Sequence, residues 1–141
     1  MNKMFDGVRW VYPAQLYVSQ LYVSRSKLQA VQSWLTPETL QTCTPLPVYD
    51  FGDGKLTLTD GHTRAFALLL MGQRCPICYD TEETVTGPAG RTAYQMAIAW
   101  CRTAGICTVQ DLRERVVEEE QYKRWWLDRC KQAFAQFGQQ N

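Results

Sequence analysis

The sequence has almost no excess charge of either sign and no long apolar run. Its 15 lysines and arginines balance 14 aspartates and glutamates, which leaves a formal net charge of +1. Because no strong net field attracts nucleic acid or an anionic membrane, we expect neither direct DNA binding nor a membrane partner. The longest apolar run, AFALLLM at 65–71, is far shorter than the roughly 20 residues that a membrane-spanning helix needs. No membrane segment is predicted.

Export signals and a disulfide framework are also lacking. Residues 1–13 contain no apolar core of the kind found in signal peptides, so we expect a cytoplasmic protein. The six cysteines are scattered, and in a reducing compartment such cysteines are usually buried small hydrophobes. Cys75 and Cys78 form a C-x-x-C without a second pair at zinc-finger spacing, and residues three apart in a strand point to opposite faces. The sequence therefore predicts no metal site.

The length and the apolar content of the chain are sufficient for one folded domain. Apolar residues make up 45% of the 141 residues, and 12% of the chain is aromatic. This length allows one domain with a real core and is too short for two domains of ordinary size. We predict a core over residues 1–84 and a helical C-terminal extension over residues 85–141, packed together as one globular unit.

Local patterns predict a mixture of strands and helices. Residues 15–19 have the composition of a strand, and Ser24 is placed to cap a following helix. The stretch 46–59 alternates like a hairpin around Asp53-Gly54, and a helix apolar on nearly all sides follows over 62–71, ending at Gly72. Residues 74–80 predict another strand and residues 81–91 an exposed loop. From there the chain is predicted to be helical, with a short helix over 109–117 and a long final one.

The segment between the hairpin and the apolar helix holds the only histidine of the chain. The first turn of a helix exposes unpaired N–H groups and the positive end of the helix dipole, which together attract anions. A glycine there allows close approach of a phosphate. His and Thr side chains can add hydrogen bonds to it, and an Arg guanidinium can donate two parallel hydrogen bonds to its oxygens. The candidate phosphate-binding residues are Asp60, Gly61, His62, Thr63 and Arg64.

The same residues also have a purely structural interpretation. Asp-Gly before a helix is ordinary turn and capping chemistry, and Asp60 could cap the helix or hold Arg64 in an ion pair. A lone histidine is often only a hydrogen-bonded surface residue. The fully apolar helix behind the turn favours a site, because it would anchor the turn rigidly.

The run LPVYDFGDGKLTLTDGHTRAFALLLMG, with QLYVSRSKLQAV before it, resembles the ParB/sulfiredoxin-like superfamily over roughly residues 12 to 80. Members of that superfamily carry a Gly-x-x-Arg turn between a hairpin strand and a buried helix, and Gly61 and Arg64 match its Gly and Arg. The resemblance implies an α+β fold with a small mixed sheet and packed helices. It also implies that the turn binds the phosphates of a nucleotide. ATP, ADP and CTP are the candidate nucleotides, with Mg²⁺ as a candidate accompanying ion.

Departures from the family pattern bear on the activity. Sulfiredoxins have a catalytic cysteine where this chain has His62, so their thiol chemistry is not expected. ParB partition proteins have Glu-Arg-Arg in place of His62, Thr63 and Arg64, and they continue into DNA-binding segments that this chain lacks. A kinase branch has the turn DGHHR, with His where Thr63 stands, but this chain has no acidic residue between Asp6 and Glu38 to serve as its base.

We therefore predict a ParB-like protein that binds a nucleotide or phosphate at the strand-to-helix turn. The first alternative is a nucleotide-dependent small-molecule kinase or hydrolase of the same fold. The second is an interaction module in which the turn has only a structural role. The sequence does not determine the ligand, the oligomeric state or whether a reaction is catalysed.

Overall fold

The computed structural model describes residues 7–81 and 83–139; residues 1–6, 82 and 140–141, which belong to the predicted core and extension, lie outside it. A four-stranded mixed sheet has the strand order β1-β5-β3-β4. Its strands are β1 (Arg9–Val11), β3 (Leu46–Tyr49), β4 (Thr57–Leu58) and β5 (Cys75–Tyr79). Strand β5 is antiparallel to β1 and parallel to β3, and β3 is antiparallel to β4. The predicted α+β class is confirmed.

A second, two-stranded parallel sheet joins an N-terminal segment of the chain to the segment predicted as the extension. It pairs β2 (Val23–Ser24) with β6 (Val116–Val117), so that Val23 lies opposite Val116. Because β6 belongs to the segment predicted as the extension, this pairing ties that segment to the core.

Seven α-helices surround the sheets within the described part of the chain. They are α1 (Arg25–Gln32), α2 (Pro37–Leu40), α3 (His62–Met71), α4 (Glu83–Thr86), α5 (Pro88–Thr103), α6 (Glu119–Tyr122) and α7 (Asp128–Gln139). A π-helical segment, Lys123–Leu127, connects α6 to α7, and 3₁₀ helices cover Pro13–Gln15 and Val109–Glu114. None of these helices is both long and apolar enough to span a membrane.

The hairpin and the helix behind it follow the sequence prediction closely. In the turn between β3 and β4, Gly52 and Gly54 have φ of 101° and 75°, and Asp50 Oδ1 accepts hydrogen bonds from both of their N–H groups. Helix α3 covers the predicted residues, and Gly72, with φ of 69°, ends it in the left-handed conformation. The predicted strand over 74–80 is present as β5, and Ser24 caps α1 by accepting a hydrogen bond from Lys27 N–H.

Several local predictions were wrong where tertiary pairing decides the structure. The predicted loop at 81–91 contains α4 and the start of α5, because Val85 is buried and Pro88 occupies the first turn of α5, where its missing N–H costs nothing. The predicted helix over 109–117 is a 3₁₀ helix followed by β6, since the last residues pair with β2. The predicted strand at 15–19 is reduced to isolated bridges at Tyr17.

The hydrophobic core lies between the main sheet, α3 and the extension. Leu58, Leu68 and Ile77 are almost completely buried at its centre, and Tyr122 and Trp126 from the extension belong to the same cluster. Helix α3 buries Ala65–Leu68 but leaves Leu70 46% exposed, so it is not covered on every side as its composition had suggested. The buried face of α3 holds the turn at its N-terminus in place.

Candidate functional site

Gly61 forms the corner between β4 and α3. Its φ of 79° is in the left-handed region, and it occupies the N-cap position without a side-chain cap. A Cβ at Gly61 would lie 2.7 Å from Leu46 Cδ2, closer than packed carbon atoms allow. Both the backbone conformation and the space therefore require glycine. The close packing against β3 explains how the sheet positions the first turn of α3.

Asp60 does not have either of the structural roles considered for it. Its Oδ1 accepts a hydrogen bond from the adjacent Gly61 N–H at 2.8 Å. In residues 7–81 and 83–139 no side chain caps α3, and Asp60 forms no ion pair with Arg64. The first turn of α3 is therefore open to an external hydrogen-bond acceptor.

Arg64 is held by the segment before β3. Its Nη1 donates a hydrogen bond to the Thr44 carbonyl oxygen at 2.9 Å and lies 3.5 Å from Cys43 Sγ. Its Nη2 lies 3.2 Å from the position that a Cβ on Gly61 would occupy. The guanidinium therefore lies against the turn, and Thr44 fixes one edge of it.

His62 is buried beneath the turn, with only 4% of its surface exposed. Its Nε2 accepts a hydrogen bond from the Ser19 N–H at 3.0 Å. Burial lowers the pKa of His62 to about 4, against a smaller opposing effect of the Asp60 charge. The ring is thus neutral at physiological pH, and because Nε2 is the acceptor, Nδ1 carries the proton. His62 connects the turn to the chain segment before β2.

The turn opens into a cleft of about 440 Å³ that contains all five of the predicted site residues. Its lining residues come from the turn, from α1, from α6 and from the loop before β2: Gln20, Lys27, Ala30, Val31, Asp60, Gly61, His62, Thr63, Arg64 and Tyr122. The sequence prediction missed Gln20, Lys27 and Tyr122, because they lie far from the turn along the chain. No local motif marks them, because they reach the cleft only through the packing of α1 against α3 and of α6 against α1.

Lys27 adds a second cation to the cleft. Its Nζ lies 4.5 Å from the centroid of the Tyr122 ring, which holds it by a cation–π contact. Lys27 and Arg64 line the same cleft as the Asp60 carboxylate, and Lys27 also forms an ion pair with Glu119, which lies outside the cleft lining. The cleft therefore combines positive side chains with the positive end of α3.

Glu119, from the extension, orients the end of α1 that carries Lys27. Its Oε2 accepts hydrogen bonds from the Ser24 and Ser26 hydroxyls, each at 2.7 Å, and its Oε1 lies 4.0 Å from Lys27 Nζ. These two hydroxyls lower the pKa of Glu119 below its ordinary value; burial opposes them with a smaller effect, and the positive charges of Lys27 and Lys123 add still smaller lowering effects. The carboxylate stays ionised at neutral pH and forms a bridge between the extension and the core.

The cysteines form no recognisable chemical site. Burial raises the pKa of both Cys75 and Cys101 to about 12, which keeps these thiols protonated. No group of three or more His, Cys, Asp or Glu side chains within the described ranges could hold a metal ion.

Comparison with protein-family models, with curated proteins and with solved structures finds no match for this chain. The geometry of the cleft is therefore what supports a function.

Proposed function

We propose that the cleft at the start of α3 binds the phosphate group of a nucleotide or of another phosphorylated small molecule. The observation that carries the proposal is the convergence of two cations, Lys27 and Arg64, on the uncapped first turn of a buried helix. Backbone N–H groups, a guanidinium fork and an ammonium are the groups that proteins use for phosphate. Asp60, Gly61, His62, Thr63 and Arg64 form the binding turn, and Lys27 faces it from α1.

The proposal extends to the class of protein. A hairpin strand, a Gly-x-x-Arg turn and a buried helix follow one another as in ParB/sulfiredoxin-like proteins, and the turn is the part that holds phosphate in that superfamily. We propose a ParB-like binding protein without a DNA-binding role, since the chain has a net charge of only +1.

An enzymatic role is the rival proposal, and Glu119 is the observation that bears on it. The N-terminal part of the chain offers no acidic base, and Glu119 of the extension lies beside Ser24 and Ser26. Its lowered pKa makes it a weak base, and it lines no part of the cleft. Binding without turnover therefore fits these residues better than phosphoryl transfer. In the third alternative, an interaction module, Arg64 and Lys27 would serve only their contacts with Thr44, Tyr122 and Glu119, and the uncapped first turn of α3 would have no ligand.

A thermal-shift screen tests the proposal directly. Inorganic phosphate, pyrophosphate, ATP, ADP and CTP are added to the protein with and without Mg²⁺, and calorimetric titration then measures the dissociation constant of each positive ligand. A ligand at a hundredfold excess over its Kd stabilises the folded state by about 2.7 kcal/mol. Lack of stabilisation by every phosphate compound would refute phosphate binding, and hydrolysis or transfer of a bound nucleotide's phosphate would favour the enzyme.

A further inference from the structure

We call the cleft at the start of α3 the charged cleft. A second cavity lies next to it and is closed on one side by the extension. Its volume is about 240 Å³. Most of its wall is apolar and is built from small and aromatic side chains of α5, the π-helical segment and α7. Its lining includes Ala93, Tyr94, Ala97, Trp126, Cys130 and Phe134. We name this cavity the apolar chamber.

The shape of the apolar chamber follows from the spacing of its residues on α5. Gly90, Ala93 and Ala97 recur at intervals of three and four, so they lie on one face of the helix and leave room in front of it. Trp126 and Phe134 line the same cavity with aromatic side chains. A space between a small-residue face and aromatic rings suits a flat, apolar or aromatic group.

The apolar chamber and the charged cleft share part of their walls. Gln20 and His62 line both of them, and Thr59, in the wall of the chamber, is followed directly in the chain by Asp60, in the wall of the cleft. The Tyr94 hydroxyl donates a hydrogen bond to the Thr59 carbonyl oxygen at 3.1 Å, which fixes α5 to the strand that leads into the turn. The two spaces are therefore neighbouring parts of one region, built from the turn and the extension.

We propose that the apolar chamber takes the flat, apolar part of the ligand whose phosphate lies in the charged cleft, and that a nucleobase is that part. This inference rests on the proposed function, because it assumes that the cleft binds phosphate. It gives the extension a second role. Besides packing on the core, the extension provides the aromatic and small residues that select the ligand. The combined volume of the chamber and the cleft falls within the roughly 300–1,000 Å³ that small-molecule sites generally occupy.

The first experiment separates the base from the phosphates. Calorimetric titrations compare ATP, GTP, CTP and UTP with one another and with tripolyphosphate, which has three linked phosphates but neither the ribose nor the base, at equal ionic strength. We expect at least one nucleotide to bind about tenfold more tightly than tripolyphosphate, as stacking of a base on aromatic side chains provides. Equal affinities of tripolyphosphate and all four nucleotides would overturn the inference and leave the proposed function standing. If none of the five compounds binds, the proposed function fails and the inference fails with it.

The second experiment fills the chamber. Ala93→Phe places a ring in it, whereas Ala99→Phe puts the same ring on an exposed position of the same helix. We expect Ala93→Phe to remove the advantage of the nucleotide over tripolyphosphate without changing the affinity for tripolyphosphate, and Ala99→Phe to change neither. An Ala93→Phe variant that keeps the full nucleotide preference would overturn the inference.

Phe134→Ala is an independent test of the chamber, because this substitution removes a side chain instead of adding one. Phe134 is 38% exposed, so we expect its truncation to leave the fold intact. The nucleotide should then bind several-fold more weakly while tripolyphosphate binds as before. An unchanged ratio of the two affinities in a folded Phe134→Ala protein would count against a base in the chamber.

Discussion

The guanidinium of Arg64 is tied to the carbonyl oxygen of Thr44, with 2.9 Å between Nη1 and that oxygen. This hydrogen bond joins the first turn of α3 to the segment that leads into β3. It holds one edge of the guanidinium while Nη2 lies against Gly61. Arg64 is therefore oriented by the protein itself, without an ion pair to Asp60.

Replacement of Arg64 by lysine should weaken phosphate binding, because an ammonium cannot reproduce the planar fork. Loss of a hydrogen bond to a charged group costs roughly 1.5–3 kcal/mol, which corresponds to about a tenfold to hundredfold rise in Kd. Calorimetric titration of Arg64→Lys with ATP measures this, after both proteins are shown to melt alike. Arg74→Lys, at an exposed arginine outside the cleft, is the control. Equal affinities of wild type and Arg64→Lys would show that the guanidinium does not hold the ligand and that Arg64 serves only its contact with Thr44.

Lys27→Gln should reduce the affinity for ATP by about fivefold, since it removes an attraction of about 1 kcal/mol that acts partly through solvent. The loss should shrink as salt is added, because ions screen such an attraction. Lys55→Gln is the matched control: Lys55 also lies over an aromatic ring, 5.3 Å from the Tyr17 centroid, but outside the cleft. A similar loss in both variants would show that only the total charge matters.

Gly61→Ala should destabilise the protein by about 2–4 kcal/mol. Left-handed backbone costs a non-glycine residue about 1–2 kcal/mol, and the added Cβ would collide with Leu46. Gly72→Ala separates the two causes, because Gly72 also has positive φ but nothing lies within 4 Å of an added Cβ. Urea unfolding of both variants should show the larger loss for Gly61→Ala. If the losses are equal, contact with Leu46 contributes nothing.

The stability should fall in acid through His62. Its pKa of about 4 in the folded protein lies below the ordinary histidine pKa of 6.5, so between these pH values the unfolded chain binds more protons than the folded one. The contribution is fully present above pH 6.5, declines as the pH falls and is lost by about pH 4. This difference in the pKa of His62 between the folded and the unfolded chain corresponds to about 3 kcal/mol of stability.

Urea unfolding of wild type and His62→Gln between pH 7 and pH 4 measures this contribution. Glutamine does not titrate, so the stability difference between the two proteins should narrow by about 3 kcal/mol as the pH is lowered. Parallel stability curves over this range would show that His62 keeps an ordinary pKa in the folded protein.

The sequence by itself determined the local frame of the candidate site. Gly52 and Gly54 allow the hairpin turn, the apolar run requires that α3 be packed against the core, and Gly72 ends that helix in a conformation that glycine adopts without strain. These features depend on residues close together in the chain, so their patterns could be interpreted without a structure. Local patterns predicted both strands and helices, and the α+β class was implied by the resemblance to the ParB/sulfiredoxin-like superfamily.

Only the tertiary structure decided what surrounds the turn. Lys27, Tyr122 and Gln20 enter the cleft from distant segments, and β6 forms by pairing with β2 where local signals favoured a helix. The partner of His62 is Ser19, 43 positions earlier, and its burial, invisible in the sequence, sets its pKa. Burial, strand pairing and the grouping of charges between residues so far apart depend on how the whole chain packs. They cannot be predicted from the spacing of residues along the sequence.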